Sequence, residues 1–545
     1  MTRWQRYWFG DGGRTSVAML RIAIATSVLV TLSRLDNPVS THHASLYRPV
    51  GVWMIAGHHA PPSALVTLLW IAAWASTAMM LVGLFSRASA AVSAGAGIAL
   101  AAPSFAYSRS WSHQYNVVFL AAFAFVGARG GDVLSLDWLI RKKRGLPELN
   151  LPGAYQWSIR LVQLAVALMF AGACFHKFLH GHFTLRWALS DNLRHQLLVR
   201  FDLAGLPRPP VVDWIIDDPW KYRTAAVLNL ISQAAPIAAV FLMKRPWLRA
   251  LAGCFFIVET IALGLVVDLW NLHWLPLFAV FIDWDRLFGS PLPAADAPRS
   301  PPSKKLRIWI IAFLVYDVLT AFVPTLDQRL NTFPFSSFPM FATVRAREPY
   351  GDHQPYGVAA DHFDIYCDRQ PLDIAIQRWF DHSNRGAFQI KNQRDLETRL
   401  RAIVANAQKR WPWWPIKGAR LWLTIYESPA YPAPAHFEQH PIAIIGEITP
   451  DGTFRSALGS LRGELGPSSE GSIQLAPTNV DVNGAELVYY KDDVTTELPL
   501  GASVDGTQVP LGYKDYGGGN PIYFVAKTKS GEPWLLATYA PWRWQ

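Results

Sequence analysis

Nine long apolar runs, all ending before residue 325, constrain the fold of this chain more than any other feature. A helix needs roughly 20 apolar residues to cross the hydrocarbon core of a bilayer. Only 17% of the residues are charged, whereas soluble domains usually carry about 25%. The sequence therefore predicts an α-helical polytopic membrane protein with about nine spans, at 15–35, 62–85, 88–108, 112–128, 157–178, 222–243, 247–267, 269–285 and 306–324.

The remainder of the chain has the composition of a soluble domain. A periodic stretch within 372–410 predicts helix. From Arg420 onward, short alternating runs such as LWLTIYES and PIAIIGEI, separated by Gly, Pro and Asp, predict an antiparallel sheet. An aromatic segment at 331–345 is expected to lie against the membrane interface. The predicted organisation is a membrane domain (1–288), a Pro-rich linker (289–305), a last transmembrane helix (306–325) and an α+β, mainly β, soluble domain (326–545).

Basic residues concentrate in alternate loops, and cytoplasmic loops are the ones enriched in Lys and Arg. The cluster Arg141–Arg144 is the strongest of these signals. The pattern predicts a multi-pass protein of the cell membrane, with a cytoplasmic N-terminus and an extracytoplasmic soluble domain. The fourth and eighth spans have short apolar cores, and a re-entrant segment at one of them would reverse the side of that domain. The same pattern accounts for much of the net charge of +10, so we expect the lipid bilayer, and not nucleic acid, as partner.

Lys177 stands at the end of the fifth span, in FAGACFHKFLHGHF. A desolvated lysine becomes a neutral amine more readily and can act as a general base. The alternative is a snorkelling lysine, whose stem lies in lipid and whose ammonium reaches water. His176 and His180 are four residues apart, which is also a metal-ligand spacing, but no carboxylate stands nearby in the sequence and we predict no metal.

Other polar residues lie within or at the ends of the predicted spans. Arg21 and Glu259 fall at membrane depth, where ionisable groups usually pair inside the bundle, so an Arg21–Glu259 pair is one expectation. His113 and Tyr115 open the fourth span at the outer face. Helix termination and pairing with the neighbouring basic cluster account for the acidic residues that close this span, Asp132 and Asp137, without chemistry.

These residues together resemble the membrane domain of the vitamin-K-dependent γ-carboxylase and its bacterial relatives, the HTTM (horizontally transferred transmembrane) family. The resemblance covers roughly residues 10–285. The motifs that carry it are Leu20-Arg21-Ile22, Ser112-His113-x-Tyr115, Asp132-x-x-Ser135-x-Asp137, and Phe170-Ala171-Gly172 followed by Lys177.

The resemblance implies a quinone-coupled carboxylase, a lyase with its site on the outer face. Lys177 would deprotonate a reduced, vitamin-K-like quinone, and His113 would assist. Five further residues would bind a ligand or give the site structural support: Arg21, Tyr115, His176, His180 and Glu259. The substrate would be a peptide or protein glutamate. In the family the lysine follows the Ala-Gly pair almost immediately, whereas here Ala-Cys-Phe-His intervenes, a shift of more than half a helical turn.

Two other functions fit the same sequence. One is a non-catalytic membrane module that matures or anchors a partner protein. Its function would require the soluble domain and would not require His113 or Lys177. The other is a transporter, which requires a continuous polar path through the bundle. The few ionisable residues within the spans make a transporter the weaker of the two.

Overall fold

A computed structural model describes two regions of the chain. The first is residues 2–323, apart from 11, 36–46, 48, 58, 107–112, 152, 203–205 and 290–302. The second comprises 332–335, 356–367 and 392–539, apart from 429–430, 433–435, 437, 463–469, 475–479, 492–493, 502–507 and 511–521. Residues 290–302 of the predicted linker (289–305) and the first part of the predicted helix 372–410 lie outside the described residues.

The first region is helical. Its helices are α1 (Arg3–Trp8), α2 (Arg14–Leu32), α3 (Ser63–Val82), α4 (Ser86–Phe105), α5 (Asn116–Ala124), α6 (Leu136–Lys143), α7 (Gln156–His180), α8 (Arg186–Leu189), α9 (Asn192–Phe201), α10 (Pro210–Ile216), α11 (Pro219–Ala234), α12 (Ala238–Phe241), α13 (Pro246–Val267), α14 (Trp284–Leu287) and α15 (Lys304–Phe322).

Six helices of the described part are long and apolar enough to cross a membrane. They are α2, α3, α4, α7, α13 and the continuous segment Pro219–Phe241, which joins α11 to α12. By length and composition the chain is therefore a multi-pass membrane protein. The other three predicted spans are not long apolar α-helices of this kind. The last of them, α15, has 19 residues but carries Lys304, Lys305, Arg307 and Asp317.

The fourth predicted span contains an α-helix of only nine residues, α5. The chain nevertheless runs the length of α4. Tyr115 stacks on Phe105 at one end of α4, with 5.6 Å between ring centroids. At the other end, the Asp137 carboxylate accepts hydrogen bonds from the Phe85 and Ser86 amides at 2.9 and 2.8 Å. The chain from Tyr115 to Asp137 thus runs the length of α4 although its α-helix has only nine residues, because irregular backbone makes up the rest of the distance.

The eighth predicted span forms a 3-10 helix, Leu272–Phe281. It runs along α2, since Arg34 near the end of α2 donates to the Trp270 carbonyl at 2.9 Å. At the start of α2, the Thr15 amide donates to Asp285 at 2.9 Å. A 3-10 helix rises about 2.0 Å per residue, against 1.5 Å for an α-helix, so ten residues cover about 20 Å. The tighter winding explains why the apolar run is short.

Arg21 stabilises the irregular backbone after α5. Its guanidinium, 1% exposed, donates to the Gly130 and Leu134 carbonyls at 2.8 and 2.7 Å. Non-helical backbone at membrane depth must find hydrogen bonds within the protein. Gly83 lies beside this guanidinium with φ +70°, and a side chain there would collide with it. The predicted Arg21–Glu259 pair is therefore wrong, because the guanidinium of Arg21 is used by carbonyls.

Two residues of the Asp-x-x-Ser-x-Asp motif, Ser135 and Asp137, cap the starts of helices. Asp137 binds the first amides of α4, whose own N-cap has no side-chain hydrogen bond. Ser135 caps α6 through the Trp138 amide at 2.9 Å. Asp132 pairs with Arg129 at 2.7 Å, not with the Arg141–Arg144 cluster as predicted. The motif holds the α3–α4 turn against α6, and helix termination explains it as expected.

The second region contains a helix, α16 (Gln393–Arg410), and eleven strands: β1 (Tyr356–Cys367), β2 (Ile416–Ser428), β3 (Glu438–Ile448), β4 (Phe454–Arg455), β5 (Ser460–Arg462), β6 (Glu470–Gln474), β7 (Val482–Lys491), β8 (Val494–Gly501), β9 (Gln508–Pro510), β10 (Ile522–Thr528) and β11 (Pro533–Tyr539).

The main sheet has the order β1-β2-β3-β11-β10-β7-β8, with β4 paired to β3. Strands β5, β6 and β9 form a second sheet. All described pairs are antiparallel except β3 with β11. Helix α16 packs on β2 and β3, where Gly446 lets Leu396 approach the sheet. The predicted α+β character and the strands named from sequence are confirmed.

A buried ion cluster joins the strands. The Glu447 carboxylate, with 0% exposure, accepts from Arg420 and Arg455, each at 2.8 Å. The Tyr366 hydroxyl donates to the same carboxylate at 2.9 Å. Burial, and secondarily the adjacent carboxylate, raises the pKa of Tyr366 to about 12. The cluster connects β1, β2, β3 and β4 through one carboxylate.

Side chains of the two regions pack against each other. Phe333, from the segment after α15, inserts between α4 and α5, with its ring centroid 5.1 Å from Phe105 and 5.5 Å from Phe119. Phe335 packs on Tyr316 of α15 at 4.7 Å. The aromatic segment expected at the membrane interface thus packs among the helices over its described residues, 332–335. In addition, Tyr47 and Ala106 belong to the same buried cluster as α16 and the main sheet.

Candidate functional site

Lys177 is enclosed in the helical region, with 1% of its surface exposed. Near the end of α7, its Nζ donates to Asn229 Oδ1 at 2.6 Å and to Gln233 Oε1 at 2.9 Å, both on α11. The amine therefore does not reach water along the surface, and the snorkelling alternative is wrong. The side chain points to α11 and α13 and not to lipid.

Glu259 of α13 completes the network with 0% exposure. Its carboxylate accepts from Asn229 Nδ2 at 2.8 Å, Gln233 Nε2 at 2.8 Å and Ser232 Oγ at 2.5 Å. Because both amide nitrogens are directed to the carboxylate, both amide oxygens face Lys177. The lysine and the glutamate are linked through two amides instead of touching. We call these five residues the Lys177–Glu259 network.

The remaining side of Lys177 is covered by an aromatic ring. Its Nζ lies 4.4 Å from the centroid of Trp187 on α8, and Trp187 is 2% exposed. Such an arrangement favours a cation and excludes water at the same time. Cys174, one turn earlier on α7, is directed to the Leu230 carbonyl at 3.7 Å. The network is thus surrounded by α7, α8, α11 and α13.

His176 bonds to another helix. His176 Nε2 donates to the Ala321 carbonyl of α15 at 2.9 Å. His180 Nδ1 donates to the His176 carbonyl at 2.8 Å. The His176 imidazole therefore serves the contact between α7 and α15, whereas His180 bonds within α7. Among the residues that the structure describes, no group of three or more His, Cys, Asp or Glu is placed to hold a metal ion.

His113 and Tyr115 lie in a 3-10 turn before α5. Tyr115 stacks on His273 with 5.2 Å between centroids. The carbonyl of Gln114 accepts from His273 Nε2 at 3.0 Å and from Trp274 Nε1 at 2.5 Å. Tyr115 therefore packs between α4 and the 3-10 helix Leu272–Phe281, and its predicted role in binding or support of the site stays a prediction.

The structure does not bring His113 into contact with Lys177, whose described partners are Asn229, Gln233 and Trp187. Trp274 packs on Phe170 of α7 at 5.4 Å. Phe170 precedes Lys177 by about two turns, or about 10 Å along the helix axis. The contacts that run from Gln114, the neighbour of His113, through Trp274 therefore reach α7 about two turns before Lys177.

Sequence reasoning missed the polar residues of α11. Asn229, Ser232 and Gln233 follow the i, i+3, i+4 spacing of one helix face within an apolar run. Polar side chains on one face of a membrane helix usually bond to a neighbouring helix. That spacing could have predicted a polar contact, although not its partner. Trp187 gave no comparable signal.

No family model, curated protein or solved structure matches this chain. The fold and the site define its class directly. It is a multi-pass membrane protein in which an enclosed lysine and glutamate are bridged by amides, and it carries a β-rich C-terminal region.

Proposed function

We propose that this protein is a membrane enzyme of the γ-carboxylase type, in which Lys177 is the base. The observation that carries the proposal is the number and direction of acceptors around Nζ. A neutral amine has two N–H donors and one lone pair, whereas an ammonium has three donors. Asn229 and Gln233 supply two acceptor oxygens. A neutral Lys177 would satisfy both, and the Trp187 ring beside Nζ would stabilise the ammonium that forms when the amine takes a proton.

The network satisfies two distributions of the same proton. With an ammonium and a carboxylate, Ser232 donates to Glu259 at 2.5 Å. With an amine and a carboxylic acid, Glu259 would donate to Ser232 Oγ, and Ser232 would donate to the Asn229 carbonyl, 3.0 Å away. Both distributions are neutral overall, so neither leaves an isolated buried charge. This is the property that a membrane-embedded general base requires.

A reduced quinone, the cofactor that the resemblance implies, would supply an acidic hydroxyl attached to a flat apolar ring. The amine of Lys177 would take the proton of that hydroxyl. Because Lys177 and Trp187 are 1% and 2% exposed, the quinone would have to displace the Trp187 ring from Nζ to reach it. A glutamate-containing peptide is the substrate that the same resemblance implies. We infer an assisting role for His113 from the resemblance alone.

Wild-type protein in vesicles is expected to incorporate labelled CO2 into a glutamate-containing peptide only when a reduced naphthoquinone and oxygen are present. The peptide with glutamine in place of glutamate serves as the control. Label that appears equally without the quinone, or in the control peptide, would contradict a quinone-coupled carboxylase.

A non-catalytic maturation or anchoring module is the second candidate. Its supporting observation is the packing of Tyr47 and Ala106 into the buried cluster of the β-rich region, which makes that region continuous with the helical one. This candidate predicts a function that survives replacement of Lys177 and is lost with the β-rich region.

We propose further that the chain crosses the membrane nine times, with its N-terminus cytoplasmic and the β-rich region outside the cell membrane. The segments around α5 and the 3-10 helix Leu272–Phe281 each run the length of a long helix, which supports counting them as crossings. Helix α15 ends beside the end of α7, because Phe322 and Phe175 pack at 5.1 Å. These paths support an odd number of crossings.

Cysteine labelling in intact cells tests this topology. Both Lys142 and Thr453 are exposed at the protein surface, and the proposed topology places them on opposite sides of the membrane. Lys142→Cys is therefore expected to react with an impermeant maleimide only after permeabilisation, whereas Thr453→Cys is expected to react in intact cells. The unaltered protein gives the background of its own cysteines. Equal labelling of both variants in intact cells would show that they lie on one side.

A further inference from the structure

Helix α6 (Leu136–Lys143) has no buried residue, yet it is firmly fixed to the bundle. Asp137 accepts from the Phe85 amide, the Ser86 amide and Ser86 Oγ, the last at 2.7 Å. The Asp137 amide also donates to the Gly83 carbonyl at 3.0 Å. The helix therefore holds its position at the end of α3 and α4 without covering a core of its own.

One face of α6 is apolar and exposed. Leu136, Leu139 and Ile140 are 38%, 49% and 41% exposed and follow the i, i+3, i+4 spacing of a single face. Val82 and Phe85, at the adjoining helix ends, are 47% and 65% exposed. The apolar face is thus close to the exposed apolar residues at the ends of α3 and α4.

The last turn of α6 and the residue after it carry four cations, Arg141–Arg144. The neighbouring carboxylates are already used by other groups. Asp132 pairs with Arg129 at 2.7 Å, and Glu148 pairs with Arg14 at 2.8 Å. Asp137 is taken by α4. Glu148 also interacts electrostatically with Lys142. Three acids (Asp132, Asp137 and Glu148) thus face six cations (Arg14, Arg129 and Arg141–Arg144), and the surface keeps an excess of positive charge.

We propose that α6 is a binding surface for anionic phospholipid headgroups. An amphipathic helix with a basic side lies in the membrane interface, with its apolar face at the acyl boundary. Each basic residue near an anionic surface strengthens the attraction to it. Charge complementarity and the neighbouring lipid-facing helices favour a lipid over a protein partner. The proposal is independent of the chemistry at Lys177.

The test uses the purified full-length protein in nanodiscs of phosphatidylcholine, with and without phosphatidylglycerol. We replace all four cations (Arg141→Gln, Lys142→Gln, Lys143→Gln, Arg144→Gln) and count the phosphatidylglycerol retained by native mass spectrometry. The affinity for phosphatidylglycerol is expected to fall at least about tenfold. The matched control neutralises Lys304, Lys305 and Arg307 at the start of α15 and is expected to change it less than about twofold.

A second variant, Leu139→Ser with Ile140→Ser, keeps every charge and is also expected to weaken retention. Free glycerol phosphate distinguishes a lipid from a bare anion. It is expected to leave retention unchanged. The proposal is overturned if glycerol phosphate displaces the lipid from the wild type, if the α15 control loses as much lipid as the α6 variant, or if the serine variant retains lipid like the wild type.

Discussion

Replacing Glu259 with leucine is expected to destabilise the helical region by about 3–5 kcal/mol. The substitution removes the counter-charge of Lys177 and the acceptor of three donors, on Asn229, Ser232 and Gln233. Neither loss can be compensated by water, because Glu259 and Lys177 are 0% and 1% exposed. Unfolding in a detergent series, followed by circular dichroism, measures the change.

The double variant Lys177→Met with Glu259→Leu is expected to recover part of this loss. Removing both partners eliminates the uncompensated charge, so the two effects should not add. Glu259→Gln keeps the size of the side chain and shows how much of the effect is due to charge. If the double variant lost the sum of the two single losses, Lys177 and Glu259 would not be coupled, and the network as described would be wrong.

The second large effect is expected in the β-rich region. Glu447→Gln should destabilise it by about 1.5–3 kcal/mol, because Arg420 and Arg455 lose their shared carboxylate but, at 21% and 33% exposure, remain partly hydrated. Hydrogen exchange of the β2 and β3 amides in the full-length protein localises the change to this sheet. Equal increases in the exchange rates of the β2 and β3 amides would show that the region opens as a unit.

Glu532→Gln is the matched control for Glu447. Glu532 also pairs with Arg420, at 3.2 Å, but its side chain is 34% exposed. Such a pair contributes at most about 1 kcal/mol. Equal effects of the two substitutions would mean that the buried position of Glu447 is not what makes the cluster important.

Hydropathy predicted the six long helices well because each contains a continuous apolar run. Two further paths were found as apolar runs but not as structures. Pro276 within Leu272–Phe281 argues against a continuous α-helix. The sequence does not specify a 3-10 helix in its place, since the difference lies in rise per residue and in contacts with α2. The strands of the β-rich region were predictable because apolar residues alternate between turn residues.

The candidate site was less predictable, for a physical reason. Lys177 and Glu259 are visible in the sequence as charges within apolar runs, but their link passes through uncharged amides. Hydropathy treats Asn229 and Gln233 as interruptions and says nothing about the helix they face. Arg21 was paired with Glu259 by charge alone, whereas exposed carbonyls after α5 gave it a closer set of acceptors.

The most direct measurement of the central claim is CO2 incorporation by a folded Lys177→Met variant in the quinone-dependent assay. Methionine keeps the length of the stem and removes the amine. If Lys177 is the base, the rate should fall by at least about a hundredfold, the usual contribution of a general base. A Lys177→Met protein that folds, retains its lipid and incorporates CO2 at the wild-type rate would contradict the account.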